Sequence, residues 1–170
     1  MDLKNIIRNI PDYPIEGVLF RDITTVLKDK DALKYSVDEM MKSLENIEFD
    51  YILGPESRGF IFAMPIAYNM NKGFIPVRKK GKLPAETISK EYDLEYGSAT
   101  LEIHKDALKK GDKVVIADDL LATGGTCKAI IELVESIGAE VVSLNFFIEL
   151  EDLKGRELLG DYNISSIVKY

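Results

Sequence analysis

A single cysteine and a single histidine occur in 170 residues, and both scarcities are informative. Cys127 has no partner for an internal disulfide, which fits a reducing compartment, and as a catalytic nucleophile it is a poor candidate. A lone His104, in a strand-like segment over residues 99–104, disfavours a histidine-based triad and a multi-histidine metal site, so it reads as structural. Long apolar runs are missing too. The apolar stretches are short and broken by charge, and residues 1–20 carry Asp2, Asp12 and Glu16 without the apolar centre of a signal peptide. The expectation is a soluble, cytoplasmic protein with no membrane partner. Nor is there an excess of positive charge: 22 Lys and Arg against 29 Asp and Glu leave a net charge of −7, which argues against a nucleic-acid partner but leaves a small phosphorylated ligand open. No Ser/Gly/Pro-rich linker, repeat or low-complexity block divides the chain, and 46% hydrophobic residues suffice for one core. One domain over residues 1–170 is expected.

Against these absences stands one dense segment. Val114, Val115, Ile116 and Ala117 follow the turn signal Gly111-Asp112 without alternation, as in a strand buried on both faces. They run into Asp118-Asp119-Leu120-Leu121-Ala122-Thr123-Gly124-Gly125-Thr126, and the stretch 126–137 has helical spacing, with Ala129, Ile130, Leu133, Val134 and Ile137 apolar. The acids therefore lie near the carboxyl end of a strand, the edge where open α/β sheets bind ligands. Gly124 and Gly125 let the backbone turn its N–H groups inward, Thr123 and Thr126 add hydroxyls, and the helix dipole favours an anion. Two carboxylates accept hydrogen bonds from vicinal hydroxyls. A ribose 5-phosphate fits both halves. Each half alone is also what a Gly-Gly turn beside two solvated acids would show; the run of thirteen residues is more specific.

Two further segments have the same chemistry. Glu56-Ser57-Arg58 follows a strand over 51–53 and a turn, and precedes a helix over 59–70 that must bend at Pro65, so it forms a second anion-binding corner. The basic run Arg78-Lys79-Lys80-Gly81-Lys82 follows a strand over 74–77. If that strand is parallel to the one at 114–117, its cations reach a pyrophosphate at the same sheet edge; otherwise the run is a charged, solvated loop. The remaining expectations are a helix near 3–8 stopped by Pro11, a strand at 19–21, an amphipathic helix over 33–44, and strands at 99–104 and 141–148. Alternating strands and helices imply an α/β fold with an open, mostly parallel twisted sheet flanked by helices. The polar stretch 81–97 is long enough to be functional or mobile.

The segment 114–126 closely resembles the phosphoribosyl pyrophosphate motif of the type I phosphoribosyltransferases, in the form that acts on adenine. Pro11-Asp12-Tyr13-Pro14, Gly17-Val18-Leu19-Phe20-Arg21-Asp22-Ile23, Glu56-Ser57-Arg58-Gly59-Phe60, Arg78-Lys79-Lys80-Gly81-Lys82-Leu83-Pro84 and Leu94-Glu95-Tyr96-Gly97 resemble the same family in the same order. The resemblance implies a small N-terminal hood at about 1–25, a flexible lid loop at about 79–98, and a non-proline cis peptide at Glu56–Ser57. It implies transfer of the 5-phosphoribosyl group of phosphoribosyl pyrophosphate to N9 of adenine, giving AMP and pyrophosphate in purine salvage. Asp118, Asp119, Ala122, Thr123, Gly124, Gly125 and Thr126 would hold the phosphoribosyl group. Glu56, Ser57, Arg58, Arg78, Lys79 and Lys82 would face the pyrophosphate, and Leu19, Phe20, Arg21 and Leu120 the adenine. Glu95 and Arg58 would be catalytic. The implied metal is Mg²⁺, held through substrate oxygens and water rather than by protein ligands, and the implied assembly is a homodimer. A transferase for a 6-oxopurine and a regulator that binds phosphoribosyl pyrophosphate without turnover are the rival readings. Base preference separates the first from the main reading, and turnover separates the second.

Overall fold

Apolar residues without alternation at 114–117 require a strand covered on both faces, and this run is fully buried in an interior strand of the sheet in the computed structural model, which describes residues 1–94 and 96–170. Glu95 lies outside the described residues. The chain divides into two units, Met1–Glu39 and Met40–Tyr170.

In the first unit, β1 (Arg8–Pro11) and β2 (Leu19–Asp22) form an antiparallel hairpin in the register Arg8↔Asp22 to Pro11↔Leu19. It is followed by α1 (Thr24–Lys28) and by α2 (Lys30–Lys42), which runs on into the second unit. The helix expected near 3–8 is only a 3₁₀ turn at Leu3–Asn5. Local polar bonding explains the correction: the Asp2 carboxylate accepts from Lys4 N–H, and Arg8 is drawn into the hairpin by its guanidinium, which donates to Asp22. Bonds from Thr24 N–H, the Thr24 hydroxyl and Arg8 hold the Asp22 carboxyl down at about 2. The Tyr13 and Phe20 rings pack edge to face at 5.1 Å, and the Tyr13–Pro14 peptide is cis.

The second unit is built on seven strands: β3 (Tyr51–Pro55), β4 (Gly73–Lys79), β5 (Thr87–Asp93), β6 (Ser98–His104), β7 (Lys113–Leu121), β8 (Glu140–Glu149) and β9 (Ile164–Lys169). Their order is β5-β6-β4-β3-β7-β8-β9. Strands β4, β3, β7, β8 and β9 are parallel, whereas β6 and β5 are antiparallel to their neighbours. Helices α3 (Arg58–Asn69), α4 (Gly125–Ser136) and α5 (Gly155–Leu159) complete the unit. Val114, Val115 and Ile116 are fully buried, and each contributes roughly 1.5–3 kcal/mol through removal of apolar surface from water.

Strand order decides what meets the ligand edge. Because β4, β3 and β7 run the same way, the ends of all three lie at one side of the sheet, and the segments after them converge there. The stretch 81–97, expected as a lid loop, contains β5, whose seven residues pair with β6 from Thr87↔His104 to Asp93↔Ser98. Strand β9 was not expected either. Both are edge strands with half-exposed, mixed-polarity faces, so neither carries the continuous apolar run that marks β7.

Candidate active site

Strand β7 carries its two acids inside its last turn of pairing, not after it: Asp118 lies opposite Phe146 of β8, and the strand ends at Leu121. The chain then reverses through Gly124, whose φ of 88° lies in the left-handed region that favours glycine, and enters α4 at Gly125. Lys128 N–H donates to Gly124 O, so the N–H groups of the first turn of α4 have no acceptor within the helix and open toward the loop. That end of α4 can receive an anion through its backbone donors and the helix dipole.

A cleft of about 490 Å³ opens over these elements. Its walls include Asp118, Asp119, Leu120, Ala122, Thr123, Gly124, Gly125 and Thr126 on one side, and Glu56, Ser57, Arg58 and Lys79 on the other. Twelve of the residues singled out in the sequence are thus brought together from three separate segments. Pro55, Cys127 and Phe146 also line it, and sequence reading missed Phe146 because only the β7–β8 register sets it beside Asp118.

The two acids differ in surroundings. Asp119 is 7% exposed, and its Oδ2 lies 2.7 Å from Arg58 Nε. Asp118 accepts Asp119 N–H at 2.8 Å and is packed against the start of α3, where a Cβ on Gly59 would stand 2.9 Å from Asp118 Oδ1. Burial, and then the neighbouring Asp119 charge, push the Asp118 carboxyl well above the usual carboxylate range, with Arg58 acting in the opposite direction. Glycine at 59 is therefore what lets the positive end of α3 approach this carboxyl.

The corner after β3 contains the cis Glu56–Ser57 peptide, the bond singled out by resemblance. Both polar ends of Glu56 are engaged: its N–H donates to Val77 O at 2.9 Å, and its carboxylate accepts Lys79 N–H at 2.6 Å and faces Arg78 Nε at 3.3 Å. Glu56 thus shapes the corner and has no donor left for an anion. Arg78 and Lys82 are not in the cleft wall; Arg78 donates to Lys82 O, and Lys82 is exposed in the turn between β4 and β5. Leu19, Phe20 and Arg21 lie in or at the start of β2 of the first unit. Burial raises the Cys127 thiol, and Asp118 adds to it, so the thiol stays protonated. His104 ends β6, and its Nε2 accepts Ala85 N–H at 3.3 Å.

This geometry can hold a phosphate at α4, a diol at the acids, and a second anion at Ser57, Arg58 and Lys79. A family model described as phosphoribosyl transferase domain matches residues 24–169. The adenine phosphoribosyltransferase of Lachnoclostridium phytofermentans is 61% identical over 99% of this chain and 97% of its own length. The chain belongs to the adenine phosphoribosyltransferase family. Among solved structures, the family member from Thermoanaerobacter pseudethanolicus superposes with a TM-score of 0.96 at 55% identity, covering 99% of this chain and 98% of that one. The Saccharomyces cerevisiae member, solved with adenine and D-2,5-dideoxy-2,5-imino-altritol 1,6-bisphosphate, gives 0.90 at 38% identity over 97% and 96%. The mostly parallel sheet flanked by helices is the type I phosphoribosyltransferase fold expected from the sequence.

Proposed function

We propose that this chain transfers the 5-phosphoribosyl group of phosphoribosyl pyrophosphate to N9 of adenine, releasing AMP and pyrophosphate for purine salvage. The observation that carries the reading is the convergence, in one cleft, of an acid pair, a helix-start phosphate loop and a separate cationic corner. In the reaction the bond from the sugar carbon to the pyrophosphate oxygen breaks as the bond to N9 forms, and the N9 proton is lost. The sugar becomes cation-like in between, so nearby carboxylates lower the barrier.

Asp118 and Asp119 accept from the two ribose hydroxyls and stabilise that charge. Ala122, Thr123, Gly124, Gly125 and Thr126 wrap the 5-phosphate. Ser57, Arg58 and Lys79 take the leaving pyrophosphate, and Arg58 must exchange part of its contact with Asp119 to do so. Arg78 and Lys82 join them only if the segment at 79–98 closes, which would also exclude water from the sugar carbon. Leu19 and Arg21 read the base through backbone groups, Phe20 stacks on it, Leu120 completes its surroundings, and Glu95 handles a proton on the ring.

Among the described residues no group of three or more His, Cys, Asp or Glu side chains converges to hold a metal ion, and the Asp119 and Glu56 carboxylates already face arginines. That donor set suits Mg²⁺ carried by the substrate's own oxygens and completed by water, where it would neutralise the leaving pyrophosphate. The enzyme is a cytoplasmic homodimer in this reading, as the resemblance implies; among the described residues no helix is long and apolar enough to cross a membrane.

Pyrophosphate release from phosphoribosyl pyrophosphate with Mg²⁺, offered adenine, hypoxanthine, guanine and xanthine in parallel, tests the proposal. Release with adenine alone is expected. Release with a 6-oxopurine instead would overturn the base assignment, and binding without release would overturn the transferase.

A further inference from the structure

The phosphate loop has a back as well as a front. Behind it lies the first turn of α5, and Gly155 there is buried against it. A Cβ built on Gly155 would stand 2.5 Å from Ala122 O and 2.8 Å from a Leu121 methyl, while a Cβ on Gly124 would stand 3.0 Å from Gly155 O. Two backbones therefore meet with no room for a side chain on either, although Gly155 is thirty-one residues after Gly124.

The contact has a direction. Ala122 C=O and Thr123 N–H belong to one planar trans peptide, so they point opposite ways. With the carbonyl pressed on Gly155, the Thr123 N–H is aimed away from α5. Any shift of the carbonyl turns that donor.

The turn that carries Gly155 is itself anchored. Arg156, the next residue, donates from Nε and Nη2 to the two oxygens of Glu149 at 2.6 and 2.8 Å, and from its other terminal nitrogen to Ile164 O at 3.1 Å. Glu149 is 3% exposed at the end of β8, where it is the register partner of both Leu121 and Lys169, and it also accepts from Ser166. Burial acts to raise the Glu149 carboxyl, but the Arg156 and Ser166 hydrogen bonds outweigh it and the group is held below its usual range. The planar fork is what fixes the orientation of the turn; a lysine in its place keeps the charge and loses the second bond.

We propose that Gly155, held by the Arg156–Glu149 fork, is a positioning residue that sets the phosphate loop from behind. It touches no substrate. The inference rests on the reading of residues 122–126 as the 5-phosphate site and adds what orients them.

Steady-state kinetics on Gly155→Ala, Arg156→Lys and Thr126→Val, run well below each variant's Tm, test it. Gly155→Ala should raise KM for phosphoribosyl pyrophosphate by about 10- to 100-fold, as ångström-scale misplacement does. KM for adenine should stay within about twofold, a split that a general loss of folded enzyme does not produce. Arg156→Lys should shift the same constant the same way by a smaller factor, and it decides the matter if Gly155→Ala does not fold. A raised KM in Thr126→Val with an unchanged one in both other variants would overturn the positioning role alone. An unchanged KM in all three would overturn the phosphate-loop reading, and the positioning role with it.

Discussion

The β7–α4 corner and the β5–β6 hairpin meet at Thr126, and they are held in different ways. In the corner the backbone is fixed: β7 is paired with β8 as far as Leu121, Gly124 has a left-handed φ that favours glycine, and Gly155 closes the back. The hairpin lies at the sheet edge and reaches α4 by a Tyr92 hydroxyl 3.3 Å from Thr126 Oγ1 and by a Lys90–Glu132 ion pair at 2.6 Å. Pre-organisation belongs to the first, because a phosphate bound by backbone donors gains only if those donors are already aimed. The second is held by side chains at a sheet edge: Leu101 and Ile103 are buried, Ile88 and Tyr92 pack on the core, and the two polar contacts add to them.

The largest effect should come from the acids. Asp118→Asn should lower kcat/KM for phosphoribosyl pyrophosphate by about 10²- to 10³-fold. It should also raise Tm at pH 8, because burial and then the Asp119 charge raise the native carboxyl above its unfolded value, which makes the ionised form costly. That gain should shrink as pH falls through the native pKa toward the ordinary value of 3.8. Melting curves from pH 8 to pH 4 check this, and a pH-independent difference would remove the strain from the account. Next, Glu95→Gln should reduce kcat about 10²-fold with adenine KM little changed; single-turnover assays measure it, and a wild-type rate would take Glu95 out of the chemistry.

Gly124→Ala should cost about 1–2 kcal/mol in urea denaturation from its left-handed backbone alone, with the 3.0 Å contact to Gly155 O added. On the hairpin side, Tyr92→Phe should cost at most about 1 kcal/mol in either stability or binding of phosphoribosyl pyrophosphate. Lys90→Ala should be the mildest change, about 0.2–1 kcal/mol and smaller still in high salt, since both partners are about 40% exposed. If either hairpin variant matched Gly124→Ala, the two regions would be one rigid unit and the contrast would fall.

Legibility followed the same division. Val114, Val115, Ile116 and Ala117 announced a buried strand, the spacing of Ala129, Ile130, Leu133 and Val134 announced a buried helix face, and the two glycines between announced the turn. These signals are local, because burial on both faces and a left-handed φ each constrain the residue that experiences them. Strand β5 reads as loop from sequence because its Lys90, Glu91 and Asp93 are the polarity of an edge, and Arg8 reads as helical because its pairing partner is fourteen residues away.

The sequence by itself determined the class of fold, the strand that ends in the acid pair, and the glycine turn that leads from it into a helix. Only the tertiary structure decided that Glu56 faces Arg78 and Lys79 N–H, that Arg58 meets Asp119, that Phe146 backs Asp118, and that Gly155 supports the loop. The reason is one of range. Periodicity and turn chemistry act within a few residues, whereas a contact between segments exists only once strand order and register have set which residues face each other.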